Sequence, residues 1–153
     1  PLNNLLGQVD CNVVVLRAPH TWHLSSVRNI LVPVGGRGGH DQLRARLLGN
    51  FFRNGVNNVT FLRVLPAQAS PRQSAKARRD LSRLANDEAP GRSQVKLAHS
   101  DQIIETIVRH TPNADLVLLG LQRVGRREKV IGRIAMEIAQ RTDCPLIMIS
   151  HHS

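Results

Sequence analysis

The sequence predicts an α/β domain with a doubly wound, Rossmann-like parallel sheet of five strands, helices on both faces and one extra N-terminal strand. Two observations support this fold class. Short apolar segments alternate with longer segments whose apolar residues recur at helical spacing, which is typical of βαβ units. The strand-like segments are almost continuously apolar, most clearly Ala114–Gly120, as expected when helices cover both faces of a parallel sheet. A chain of 153 residues is long enough for one such domain.

The first half of the chain contains two strand–helix units. Asn29–Val34 is the first strand of the predicted parallel sheet, and it runs into a glycine loop. Asp41 is a suitable N-cap for the helix that follows, and Gly55 ends that helix. Val59–Leu65 is the second strand. A long and strongly charged helix over Ser70–Glu88 follows, with a proline at its first position.

The second half repeats this alternation. Gln94–Ala98 is a short third strand, and Ser100 caps a third helix with a narrow apolar stripe. Ala114–Gly120 is the fourth strand, Val130–Arg141 is the fourth helix and Pro145–Ile149 is the last strand. The residues expected to face inward from the fourth helix are Ile131, Ile134, Ala135 and Ile138.

A segment near the N-terminus repeats the last strand. Asp10-Cys11 and Asp143-Cys144 are each followed by one spacer residue and an apolar run. An α/β pattern follows the first copy but does not precede it, and the chain lacks an initiator Met, so we expect a piece of a larger protein. The expected organisation is a strand from a preceding repeat (1–18), a linker (19–27), the domain (28–150) and a tail (151–153).

As a copy of the last strand, the N-terminal strand is expected to lie at the same kind of sheet edge. It would pair with the last strand of its own chain or of a partner, and so hide an apolar edge. The residues expected at this edge are Asn12, Val13, Val14, Val15, Pro145, Leu146, Ile147, Met148 and Ile149.

The formal net charge of +10 favours polyanionic partners, namely nucleotide phosphates, anionic lipid or nucleic acid. Only 3% of the residues are aromatic, which disfavours nucleic acid bound through base stacking. The charged helix over residues 70–88 is either a solvated face or a surface that meets an anionic inner leaflet. No apolar run could span a membrane, no signal peptide is visible, and two cysteines form no disulfide framework. A cytoplasmic location is therefore expected.

The sequence offers little support for catalysis. Of the seven histidines, His40 lies beside the glycine loop and Asp41, but no nucleophile is marked by a nucleophile elbow. The two cysteines lack the CxxC spacing of zinc and redox sites. We expect no catalytic residue, no metal site and no enzyme, with a weak ATPase as the remaining enzymatic alternative.

Four segments, taken in order, resemble the universal stress protein domain. They are NILVPV, VTFLRVLP before the long helix, ADLVLLG before a glycine-spaced loop, and DCPLIMIS at the end. The resemblance runs over residues 28–150. The resemblance implies a five-stranded parallel sheet that is often dimeric through its last strand. In many members it also implies a bound ATP or AMP at the carboxyl ends of the strands.

The sequence departs from the nucleotide-binding members of that family. Those members carry Gly, two residues, Gly, nine residues, Gly and then Ser or Thr after the fourth strand. Here four residues separate Gly120 from Gly125, six separate Gly125 from Gly132, and Arg133 replaces the hydroxyl residue. Gly35 stands where those members have an acidic residue.

Two interpretations of these glycine loops stay open. Helix N-termini and arginines could still bind an anion or an atypical nucleotide, or the glycines form only tight turns beside solvated arginines. The candidate nucleotide- or anion-binding residues are Gly35, Gly36, Gly38, Gly120, Arg123, Gly125, Arg126, Arg127, Gly132 and Arg133.

The leading functional hypothesis is a non-enzymatic cytosolic regulatory or dimerisation domain of a membrane transporter, with a degenerate nucleotide site. Similar domains are attached to amino-acid permeases, cation–chloride cotransporters and antiporters. The expected partners are a second copy or a preceding repeat, the transmembrane part of the same polypeptide and the inner face of the membrane. The alternatives are an ATP- or AMP-binding stress protein with a variant phosphate loop, and a polyanion-binding domain.

Overall fold

A computed structural model of the chain describes residues 12–35, 41–120, 123–124, 128–129 and 133–150. The strands are β1 (Val13–Arg17), β2 (Asn29–Pro33), β3 (Asn58–Leu65), β4 (Ser93–His99), β5 (Leu116–Gly120), β6 (Arg123–Val124), β7 (Glu128–Lys129) and β8 (Leu146–Ser150). The α-helices are α1 (Gln42–Arg53), α2 (Pro71–Glu88), α3 (Ile103–His110) and α4 (Arg133–Arg141). Short 3₁₀ turns occur at Leu24–Ser26 and Thr111–Asn113.

The main sheet has six strands in the order β1-β8-β5-β2-β3-β4. Five strands of this sheet run parallel to one another, namely β2, β3, β4, β5 and β8. The sixth strand, β1, is antiparallel to β8. The strands β6 and β7 form a separate antiparallel pair. The predicted fold class, a doubly wound parallel sheet with an extra N-terminal strand, is therefore confirmed.

Helices cover the sheet on both faces and enclose two apolar cores. One core lies under α1 and α2 and includes Leu48, Phe51 and Leu81. The other lies under α3 and α4 and includes Ile107 and Ile138. Residues of β8 alternate between the two cores, which explains why that strand is apolar throughout.

The helix ends follow the sequence signals, with one exception. Asp41 caps α1 by accepting a hydrogen bond from the Arg44 N–H at 2.9 Å, and Ser70 forms a capping box at the start of α2. Ser100 was expected to cap the third helix, and this prediction is wrong. Its hydroxyl accepts the Gln102 N–H at 3.0 Å in a local turn, and α3 begins only after that turn.

Candidate functional site

The carboxyl ends of β2 and β5 meet where the order of the sheet reverses. Strand β2 pairs with β3 on one side and with β5 on the other. In an open α/β sheet a crevice forms at such a point, outside the carboxyl ends of the strands. Gly35 lies just beyond β2 and Gly120 ends β5, so the structure brings these two candidate residues to one pocket.

This pocket has a volume of about 230 Å³ and lies between the sheet and helices α3 and α4. The described residues of its wall are all glycine, proline or aliphatic. Six of the aliphatic residues are Val34, Leu62, Leu119, Ile103, Ile107 and Ile138. Sites for drug-sized ligands have volumes of roughly 300–1,000 Å³. The volume of the described pocket lies below this range, and its apolar wall suits an apolar group such as a ring.

Two exposed isoleucines stand at the mouth of the pocket. Ile103 is 44% exposed and Ile134 is 37% exposed, and both line the pocket. The expectation that Ile134 faces the core is therefore wrong. It stands in the first turn of α4, beside the open end of the pocket, whereas Ala135 and Ile138 of the same helix are buried as expected. A ligand that covered these two side chains would gain from removing apolar surface from water.

Gly35 and Gly120 are not required by packing or by backbone conformation. A Cβ atom added to either would meet no described atom within 4 Å, and neither has a positive φ. The two glycines therefore leave the rim of the pocket open instead of relieving a close contact. An open rim is compatible with a ligand that approaches the backbone there.

Arg133 stands where nucleotide-binding members have a phosphate-binding hydroxyl, but its contacts do not favour phosphate binding. Its side chain is 86% exposed, and its Nε donates a hydrogen bond to Oε1 of Glu137 at 2.8 Å. That hydrogen bond and the charge of Glu137 raise the pKa of Arg133. Its positive charge is therefore already balanced by a carboxylate on its own helix.

The backbone of Arg123 lies in β6. The other candidate loop residues lie outside the described residues, and they are Gly36, Gly38, Gly125, Arg126, Arg127 and Gly132.

The edge of β8 is covered by β1 of the same chain. The antiparallel ladder runs from Val13 opposite Ser150 to Arg17 opposite Leu146, with Val15 opposite Met148 at its centre. This is one of the two arrangements expected for this edge. Asn12 and Pro145, which were also expected in it, immediately precede the two strands and lie outside the ladder.

Arg17 fastens β1 to the end of α4. Its guanidinium donates hydrogen bonds to the carbonyl oxygens of Ala139, of Thr142 at 2.6 Å and of Cys144 at 2.9 Å. The last carbonyls of a helix have no partner within the helix, and the helix dipole favours a cation there. Arg17 could not be predicted from the sequence, because nothing around it marks a residue that contacts the other end of the chain.

A buried ion pair between Arg44 and Glu88 was also missed. The Glu88 side chain is fully buried and accepts a hydrogen bond from Nη2 of Arg44 at 2.8 Å and one from the backbone N–H of Asp41 at 3.1 Å. These contacts tie the first turn of α1, which follows residues 36–40, to the end of α2. A signal was available, because Glu88 is at helical spacing from the buried residues Leu81 and Leu84.

Cys144 is a half-buried thiol whose Sγ donates to the carbonyl of Ala114 at 3.4 Å. Burial, and then the negative charge of Asp115, raise the pKa of this thiol. A raised pKa disfavours the thiolate, which is the nucleophilic form. Cys11 and His40 lie outside the described residues.

Two further kinds of feature are absent from residues 12–35, 41–120, 123–124, 128–129 and 133–150. No group of three or more histidine, cysteine, aspartate or glutamate side chains in these ranges could hold a metal ion. None of the helices in the same ranges has the length and apolar character needed to cross a membrane.

Solved structures that match the chain include several universal stress proteins. One from Archaeoglobus fulgidus is 18% identical, with a TM-score of 0.62 over 80% of this chain and 93% of that chain. A putative universal stress protein from Pseudomonas aeruginosa is also 18% identical with a TM-score of 0.62, over 97% of this chain but only 55% of that chain. A universal stress protein solved in complex with cAMP is 16% identical, with a TM-score of 0.53 over 84% of this chain and 100% of that chain. Neither a protein-family model nor a curated protein matches the sequence.

Proposed function

We propose that this chain, which has the fold of the universal stress proteins, is a non-enzymatic regulatory and assembly module of a larger protein. In this proposal the edge of β8 is the assembly surface. The observation that carries the proposal is the symmetry of the β1/β8 ladder. Its register is the one that two identical strands form when a two-fold axis relates them.

The symmetry follows from the repeated Asp-Cys segment and the register. Counted from Cys11 and Cys144, Val15 and Met148 are both the fourth residue, and they lie opposite each other. The third residue of the first copy, Val14, lies opposite the fifth residue of the second copy, Ile149. Equivalent positions are thus exchanged across the ladder, as in a contact between identical strands related by a two-fold axis.

The exposure of β1 supports the same interpretation. Its residues Val14 and Leu16 are 46% and 48% exposed. Their equivalents in β8, Ile147 and Ile149, are buried in the core under α1 and α2. An apolar face of this kind is what a strand leaves exposed when the rest of its own unit is not there to cover it.

The match to the Pseudomonas aeruginosa protein is consistent with a preceding unit. That match includes almost the whole of this chain, whereas the match to the Archaeoglobus fulgidus protein leaves a fifth of it out. This chain spans about half of the Pseudomonas aeruginosa chain. A longer chain of that length has room for a second unit, whose last strand would correspond to β1.

A pair of cysteines tests the assignment of β1. In a chain with Cys11→Ser and Cys144→Ser, the double variant Val15→Cys and Met148→Cys should form a disulfide within one chain on mild oxidation. Its control carries Val14→Cys with Met148→Cys, which are not opposite each other, and should cross-link far more slowly. Equal rates for the two pairs, or no disulfide, would contradict the register on which the proposal rests.

We further propose that the larger protein is a membrane transporter of the permease, cotransporter or antiporter type, with this module on its cytoplasmic side. The resemblance of the domain to transporter-attached stress domains supports this step, as does its positive charge. The full reading frame tests it, because several apolar spans of about 20 residues should be encoded beside the module. A reading frame without such spans would refute the transporter assignment and leave the assembly proposal intact.

A second candidate function is the binding of an adenine nucleotide at the pocket. The position of the pocket at the ends of β2 and β5 favours it, and so does the stress protein solved with cAMP. The apolar wall and the paired Arg133 argue for weak binding of phosphates. Calorimetric titration with ATP, AMP and cAMP, compared between the wild type and Ile134→Asp, decides between the two. Heat that the variant abolishes would support this second function, and absence of heat in the wild type would remove it.

A further inference from the structure

The two helical layers of the domain differ in charge. Helices α1 and α2 together carry eight basic and three acidic residues, while α3 and α4 carry three basic and two acidic. Arg109 and Arg133 of the second layer are paired with Glu105 and Glu137. The excess positive charge of the described helices therefore lies on one side of the sheet.

Half of the basic residues of α1 and α2 lie in one row on α2. Arg72, Lys76, Arg79 and Arg83 are all exposed and recur at intervals of four, three and four positions. At 3.6 residues per turn they fall within an arc of about 60°, opposite the buried Leu81, and the row is about 16 Å long. We call these four residues the basic row.

The basic row has no acidic partner in the described structure. The ion pairs found among the described residues do not include any of the four. Asp80 and Asp87 lie on α2 beside the row, and Glu88 is buried against Arg44. These four cations can therefore meet negative charge without first breaking an ion pair.

We propose that the basic row is a docking surface for an anionic lipid membrane. This inference goes beyond the assembly role and does not depend on it. The large apolar side chains that the described structure exposes lie on β1, α3 and α4, so the layer of α1 and α2 offers no wedge and no stacking platform. Such a surface suits a plane of negative headgroups, to which it would bind through charge alone. Nucleic acid without base stacking or groove insertion is the less favoured polyanion.

Vesicle co-sedimentation with the full chain tests the proposal. The chain should bind vesicles of phosphatidylcholine with phosphatidylserine, should not bind phosphatidylcholine alone, and should dissociate as salt is raised. Each cation at an anionic surface contributes about fivefold to binding. The triple variant Arg72→Gln, Arg79→Gln and Arg83→Gln should therefore bind about a hundredfold more weakly.

A matched control separates a surface from net charge. Lys96, Arg109 and Arg141 are exposed and belong to β4, α3 and α4, and their triple change to Gln removes the same charge from positions outside the basic row. This control should retain most of the binding, and a triple Lys variant of the basic row should bind like the wild type because charge alone is required.

Three results would overturn the proposal. They are equal losses in the two Gln variants, absence of binding to phosphatidylserine vesicles at low salt, and tighter binding of duplex DNA than of these vesicles at equal ionic strength. Thermal unfolding of each variant by circular dichroism shows that the fold is kept, since all the substituted side chains are exposed.

Discussion

The substitution Arg17→Ala should destabilise the domain by about 2–3 kcal/mol. Arg17 donates three hydrogen bonds to backbone carbonyls at the end of α4 and before β8. A hydrogen bond from a charged group contributes roughly 1.5–3 kcal/mol when it is well buried. Arg17 is only half buried, so water can replace part of the stabilisation that these hydrogen bonds provide. We therefore take about 1 kcal/mol for each hydrogen bond. For a chain of this length the loss corresponds to a fall in Tm of roughly 4–12 °C.

Urea unfolding of Arg17→Ala, Arg17→Lys and Arg109→Ala measures this effect. Lys keeps the charge but cannot reach three carbonyls at once, so it should lose about half as much as Ala. Arg109 forms an exposed ion pair with Glu105 at 3.6 Å, and exposed ion pairs are weak, so its removal should cost about 0.5 kcal/mol or less. An Arg17→Ala loss as small as the Arg109→Ala loss would refute the role of Arg17 as the anchor of β1.

Two further predictions concern groups that the sequence did not explain. Glu88→Gln should cost about 3–5 kcal/mol in urea unfolding because it leaves Arg44 buried without its carboxylate. The double variant Arg44→Met with Glu88→Leu should cost less than the sum of Arg44→Met and Glu88→Leu measured singly, and additive costs would contradict a coupled pair. The free energy of unfolding should fall as pH rises above about 8.5, because the pKa of Cys144 is raised in the folded state and the unfolded thiol therefore ionises first. In a Cys11→Ser chain, the further change Cys144→Ala should make this fall smaller. Identical pH profiles with and without Cys144→Ala would contradict the role of Cys144.

Most of the fold could be predicted from the sequence because local signals and burial agree. The apolar runs of β2, β5 and β8 are buried on both faces, so their composition reports their place in the sheet. Asp41 and Ser70 mark helix starts through side-chain hydrogen bonds that depend only on neighbouring residues. Such signals do not need knowledge of distant contacts.

The candidate site was less predictable because it depends on contacts between distant segments. Gly35 and Gly120 were expected to lie together at one edge of the sheet, and both line the pocket there. The exposure of Ile134 depends on where α4 begins relative to the sheet, which helical spacing cannot show. Arg17 contacts residues more than a hundred positions away, and only the topology brings them together.

The repeated Asp-Cys segment was the most productive sequence signal. From sequence alone it predicted a strand at the edge of β8 but could not give the register. The register adds the two-fold relation between Val15 and Met148. It thereby turns a similarity between two strands into a specific proposal for how two units meet.

Release of β1 from β8 tests the central claim most directly. Adjacent backbone N–H groups point to opposite edges of a strand, so Val14→Pro with Val15→Pro must remove a ladder hydrogen bond from β1. The account predicts that sedimentation detects a monomer for the wild type and a dimer for the proline variant. In that dimer Met148→Cys should cross-link the two β8 strands at the two-fold axis, and it should not do so in the chain with intact β1. A proline variant that stays monomeric, or a dimer that Met148→Cys does not cross-link, would contradict the claim.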